Sequence, residues 1–118
     1  VPRKTYFTID NHFANAEKIE CSIILNQDTI LHQIIEPNSG FHCSKQIPEG
    51  KYLMKVGNLL NGVWKTDTLI VKDQYLDEYV DIDYQYWTLI KTNPLFPPAN
   101  RKFKIQFYHS DAFLNYLW

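Results

Sequence analysis

The sequence predicts an all-β chain folded as a two-sheet antiparallel β-sandwich of seven or eight strands. Three observations carry this expectation. Apolar and polar residues alternate at period two through most of the chain, the pattern of strands buried on one face. Turn residues interrupt the alternation at short intervals, and no segment shows a convincing central helix. The 118 residues include 3 Trp, 8 Tyr and 7 Phe within a hydrophobic fraction of 45%, apolar surface enough to offset the entropy of ordering a core. Residues 1–118 read as a single domain, since the length suits one core and no linker divides it.

The strands follow in order. Thr5, Phe7 and Ile9 open the series. Ile19, Cys21, Ile23 and Leu25 alternate with Glu20, Ser22 and Ile24, and the run ends at Asn26-Gln27-Asp28. A second β-rich run, Thr29 to Ile35, completes a hairpin. Pro37-Asn38-Ser39-Gly40 is a turn cluster, Phe41 to Ile47 a shorter strand, and Pro48-Glu49-Gly50 another turn. Asn61-Gly62 is the strongest local signal, because a two-residue type I′ turn needs positive φ at both positions. With Leu60 opposite Val63, that turn sets Met54 against Leu69, Tyr52 against Val71, Leu53 against Ile70 and Lys55 against Thr68. Val56 then falls opposite Asp67, which a bulge near Gly57 or twisting toward the hairpin tip would accommodate.

Tyr79 to Trp87 places Val80, Ile82, Tyr84 and Tyr86 on one face and Asp81, Asp83 and Gln85 on the other, as in a half-buried antiparallel strand. The proline-rich stretch from Asn93 to Asn100 joins no central ladder. Lys102 to Tyr108 returns to alternation with Phe103, Ile105 and Phe107 inward, and Ser110-Asp111 is placed to cap a short terminal helix, the same residues serving equally as a last strand or an ordered tail. A small closed barrel fits less well, because Pro37, Pro48 and the 94–98 segment break the ladder that closure requires.

The segment Ile47-Pro48-Glu49-Gly50-Lys51-Tyr52-Leu53-Met54-Lys55-Val56 resembles one common in transthyretin-like (prealbumin-like) and carboxypeptidase regulatory-like sandwich domains, where an apolar-Pro-x-Gly-x-Tyr turn feeds a core strand. The hairpin around Ile24 to Ile30 is similar to their first hairpin, and the resemblance spans roughly residues 5 to 84. It implies a transthyretin-like sandwich, with an immunoglobulin-like one as the alternative. The transthyretin-related hydrolases end in Tyr-Arg-Gly-Ser, whereas this chain ends Asn115-Tyr116-Leu117-Trp118, so that activity does not transfer. No Trp lies between Cys21 and Cys43, so the immunoglobulin Cys…Trp…Cys spacing is also missing.

Composition excludes several functions. A net charge of -1 gives no electrostatic footprint for nucleic acid, and no run approaches the length of a membrane-spanning helix. His12, His32, His42 and His109 show no metal-ligand spacing, and no metal or other cofactor is expected. No Gly-x-Ser-x-Gly elbow occurs, and 4 Gly are too few for a phosphate loop. Asp77, Asp81 and Asp83 share strand parity, with Glu78 beside them; they read first as a solvated face and second as an acid/base or cation site. Cys21 and Cys43 either pair as a disulfide or pack as free thiols.

The chain begins Val1-Pro2-Arg3-Lys4, and Met54 is its one methionine, which suggests a processed start. The expectation is an extracytoplasmic protein: secreted, periplasmic or lipid-anchored at a surface. Lys in excess of Arg, with abundant Ile and Asn, suggests a bacterial source. Most aromatics have core parity. Those left at tips and edges, Trp64, Trp87, Phe96 and Trp118, are the candidate contact residues, since aromatics offer large apolar area with few rotors to freeze. The leading expectation is non-enzymatic protein–protein interaction, including self-association. The alternative is a carbohydrate or small-ligand binding module using the same aromatics.

Overall fold

In a computed structural model the chain is an all-β sandwich. The structure describes residues 4–11, 17–72, 77–87 and 100–109. Its eight strands are β1 (Lys4–Asn11), β2 (Ile19–Leu25), β3 (Asp28–Ile35), β4 (Ser39–Lys45), β5 (Gly50–Asn58), β6 (Val63–Val71), β7 (Asp77–Trp87) and β8 (Asn100–His109). They form two four-stranded sheets. The terminal sheet has the order β4-β1-β7-β8 and the medial sheet the order β3-β2-β5-β6. Neighbours are antiparallel except β1 and β7, which run parallel from Lys4↔Asp77 to Asp10↔Asp83. The first two strands lie in different sheets, unlike the constant-type immunoglobulin order, where they are neighbours.

Strand parity builds the core as the alternation predicts. Phe7 and Ile9 of β1 and Val80, Ile82 and Tyr84 of β7 face Ile19, Cys21, Ile23 and Leu25 of β2, Met54 and Val56 of β5 and Leu69 and Val71 of β6, all buried. Phe103 is buried, while Ile105 and Phe107 pack against the cluster from β8. Each fully buried apolar side chain contributes about 1.5–3 kcal/mol relative to an exposed one.

The turns account for the strand boundaries. Asn26 has a φ of 57° in a two-residue connection that sets Leu25 opposite Asp28, and an asparagine tolerates that backbone better than most residues. Its N–H donates to the Leu53 carbonyl at 2.8 Å and its Oδ1 accepts from Leu53 N–H at 3.0 Å, pinning the hairpin to β5. The β3–β4 connection turns at Asn38, with a φ of 59°, and its N–H donates to the Asn11 carbonyl at 2.8 Å. β4 accordingly starts at Ser39, two residues before the expected Phe41, and ends at Lys45. The Tyr52 hydroxyl donates to the Pro48 carbonyl at 2.6 Å, which is the physical use of the tyrosine in the Pro-x-Gly-x-Tyr turn.

The β5–β6 register differs from the expected one. Asn58, not Leu60, lies opposite Val63, so four residues, 59–62, make the connection. Gly62 is at a φ of 74° and Asn61 is not at positive φ, so the two-residue type I′ geometry is not formed. The N–H groups of Asn61 and Gly62 both donate to the Asn58 carbonyl, at 3.4 and 2.9 Å, a longer loop built around a tight turn. The slip of two residues preserves side-chain parity. It moves Val56 from Asp67 to Lys65 and removes any need for a bulge near Gly57.

Candidate interaction face

Trp64 lies on β6 with its side chain on the outer face of the medial sheet, 44% exposed. Directly across the ladder is Gly57. A Cβ built on Gly57 would fall 2.3 Å from the indole Cδ2 and Cε3, so the ring lies flat against the glycine backbone. Only glycine leaves room for that placement. Gly57 is in turn opposite Ser22 of β2, which is itself buried. The indole thus rests one face on the sheet and presents the other outward. Leu53 and Ile70 are exposed on this outer face by the same parity, as is Ile34 toward the β3 edge, with half-buried Ile24 between them. Lys51, Lys55, Thr66 and Thr68 interleave with them, and Glu20 pairs with His32 at 2.6 Å near Ile34. Leu59 and Leu60 extend apolar exposure to the β5–β6 tip.

The other candidate contact residues do not join this face among the described residues. Trp87 ends β7, opposite Asn100 in the terminal sheet. Phe96 and Trp118, together with the expected element at 110–118, lie outside the described residues.

The outer face of the terminal sheet differs in character. Tyr6, Tyr79 and Tyr108 form a row across β1, β7 and β8, with the Tyr6 and Tyr79 rings stacked at 5.2 Å. A shallow groove of about 350 Å³ borders it, lined by Tyr6, Thr8, His42, Cys43, Ser44 and Tyr79. Beyond lies the acidic strip. Asp77, Asp81 and Asp83 take the shared outer parity the sequence predicts, and Asp10 sits directly across from Asp83. Desolvation, then the charge of Asp10, raises the Asp81 carboxyl; the same two causes act on Asp83, followed by the charge of Asp81. Lys104, across β8, partly counters the shift at Asp83. Among the described residues no group of three or more His, Cys, Asp or Glu could hold a metal ion.

Cys21 and Cys43 are free thiols, on the inner positions of the medial and terminal sheets respectively. Burial pushes the Cys21 thiol up to about 12 and raises Cys43 as well, so neither is an activated nucleophile. His42 faces outward while the adjacent Cys43 packs against the core, as alternation requires.

Sequence reasoning missed a polar lock at one end of the sandwich. Asn58 is fully buried; its Oδ1 accepts from the Glu20 and Leu60 N–H groups at 3.0 and 3.1 Å. The Tyr84 hydroxyl accepts from Asn61 Nδ2 at 2.7 Å and donates to Glu17 Oε1 at 2.9 Å, and Arg101 Nε donates to that same oxygen at 2.7 Å. Asn11, also fully buried, donates from Nδ2 toward the carbonyls of Glu17, Ile35 and Glu36. The signal was an asparagine closing each of two core-parity strands. These contacts join the two sheets and hold the β5–β6 tip beside Trp64 in place.

The geometry defines an eight-stranded, two-sheet sandwich with an aromatic-bearing outer face. The chain matches no protein-family model, no curated protein and no solved structure.

Proposed function

We propose that the protein is a non-enzymatic, extracytoplasmic β-sandwich module, transthyretin-like in kind, that acts by protein–protein contact through the outer face of its medial sheet. The observation that carries this reading is Trp64, supported on Gly57 and standing on the same sheet face that exposes Leu53 and Ile70 further along the β5–β6 hairpin. A tryptophan seated rigidly on backbone loses little freedom on binding, which suits it to anchor a contact. Apolar side chains gathered on one exposed face are the expected mark of an interaction surface. The Tyr52 to Pro48 closure supports the transthyretin-like part, since it gives a structural reason for the resembling turn.

A photo-crosslinking side chain in place of Trp64 tests the reading in the producing cell. A discrete protein adduct is expected at this position, and none from a crosslinker at Gln106 on the opposite sheet. Adducts of equal yield at both positions, or none at either, would sink it. A carbohydrate reading draws on the stacked Tyr6 and Tyr79 beside Thr8, His42 and Ser44, because sugar rings stack on aromatic faces and hydroxyls meet polar neighbours. Saturable quenching of intrinsic fluorescence by added sugars would favour it over protein contact.

A further inference from the structure

Among the described residues four strands form the edges of the two sheets: β4 and β8 in the terminal sheet, β3 and β6 in the medial one. An edge presents unpaired backbone N–H and C=O groups to any extended chain, and proteins blunt it with bulges, charges or self-capping. Three of these edges carry such a device. In β3 the register with β2 shifts between Ile23 and Ile24, leaving Ile30 as the extra residue, and Gln33 Nε2 donates to the Ile34 carbonyl at 3.2 Å. In β6 the Asp67 carboxylate accepts the Thr68 N–H at 2.7 Å, while Lys65 and Asp67 occupy inward positions. β8 carries Arg101, Lys102 and Lys104. β4 has none of these. Its pairing with β1 runs without a break from Thr5↔Lys45 to Asn11↔Ser39, it contains no proline, and its one Lys stands at its last position.

We propose that β4 pairs antiparallel with β4 of a second copy of the chain, joining two terminal sheets into one eight-stranded sheet. The strand is complementary to itself. Inward and outward parity must be kept across the junction, so the numbers of opposed residues sum to an even value. With His42 on the two-fold axis, inward Phe41 meets Cys43 of the second copy, outward Gly40 meets Ser44, and Ser39 meets Lys45. Each of these pairs sets a small side chain against a larger one and opposes no like charges. Centring the axis on Cys43 would instead set Phe41 against Lys45. A net charge of -1 leaves little long-range repulsion between copies. The contact uses an edge remote from Trp64, so it stands or falls apart from the medial-face reading.

Sedimentation velocity of the whole chain over a concentration series is expected to show a reversible monomer–dimer equilibrium. His42→Lys and His42→Glu change an exposed side chain, and each should weaken dimerisation by about tenfold or more, because each sets like charges opposite one another. An equimolar mixture of the two variants should regain association, which a merely destabilised fold would not do. A protein that stays monomeric up to roughly 1 mM overturns the proposal. So does a dimer that both variants retain; loss of that dimer in Trp64→Ala would move self-association to the medial face.

Discussion

Asp83 and Asp10 face each other across the parallel β1–β7 pair and share a side-chain hydrogen bond. The bond lifts the Asp83 carboxyl further above its ordinary value, beyond what desolvation and the neighbouring charges do. An aspartate raised in this way binds its proton more tightly in the folded state than in the unfolded one. The favourable linkage is therefore present at low pH, and stability falls as pH rises from the ordinary value of 3.8 through the raised one. Asp83→Asn is expected to raise the thermal midpoint at neutral pH and to flatten that decline. Melting curves of both proteins between about pH 3 and pH 7 check it, and superimposable slopes would show the carboxylate to be fully solvated. Parity in the sequence placed Asp77, Asp81 and Asp83 on one face. It could not supply Asp10, because that neighbour depends on a pairing between strands more than seventy positions apart.

At the scale of elements, the β5–β6 connection shows where local reasoning stops. Asn-Gly signals a turn, and a turn is there, but Asn58 competes for the loop with a side chain that can accept from both Leu60 and Glu20. The second of these partners belongs to β2, so the winning loop is decided by a strand the local sequence does not contain. Parity survived because the slip was by two, and the inward positions from Tyr52 to Val56 were legible for that reason. Trp64 was legible as an exposed aromatic, whereas its support was not, since Gly57 across the ladder depends on the register. Asn58→Ala leaves two backbone donors without their side-chain acceptor and should cost about 2–3 kcal/mol. Asn61→Ala, at an exposed position, should cost about 1 kcal/mol or less. Urea unfolding of the two variants separates them, and equal losses would show that Asn58 is not the organising residue.

At the scale of the whole molecule, the two sheets are assembled from different parts of the chain. The medial sheet uses β2, β3, β5 and β6, all between Ile19 and Val71, and two of its three pairings, β2–β3 and β5–β6, are hairpins. The terminal sheet needs β1 and β4 from the first half and β7 and β8 from the second. Non-local pairing of this kind slows folding, since loop closure precedes the contacts that reward it. Val56→Ala in the medial sheet is expected to slow refolding, while Ile9→Val in the terminal sheet should mainly accelerate unfolding. Chevron plots of the two variants distinguish them; the reverse pattern would place the nucleus in the terminal sheet.

The parallel pair of β1 and β7 also has a meaning in time. During synthesis β1 emerges before every other described strand, yet one of its two ladders waits for residues 77–87. Until then its β7-facing side is an open template. Its other side is claimed by β4 once the β3–β4 turn has formed, so the nascent chain holds a half-built sheet while the medial one completes. The arrival of β7 and β8 completes the ladders of that half-built sheet, and the interval before it is when the chain most needs protection from its neighbours.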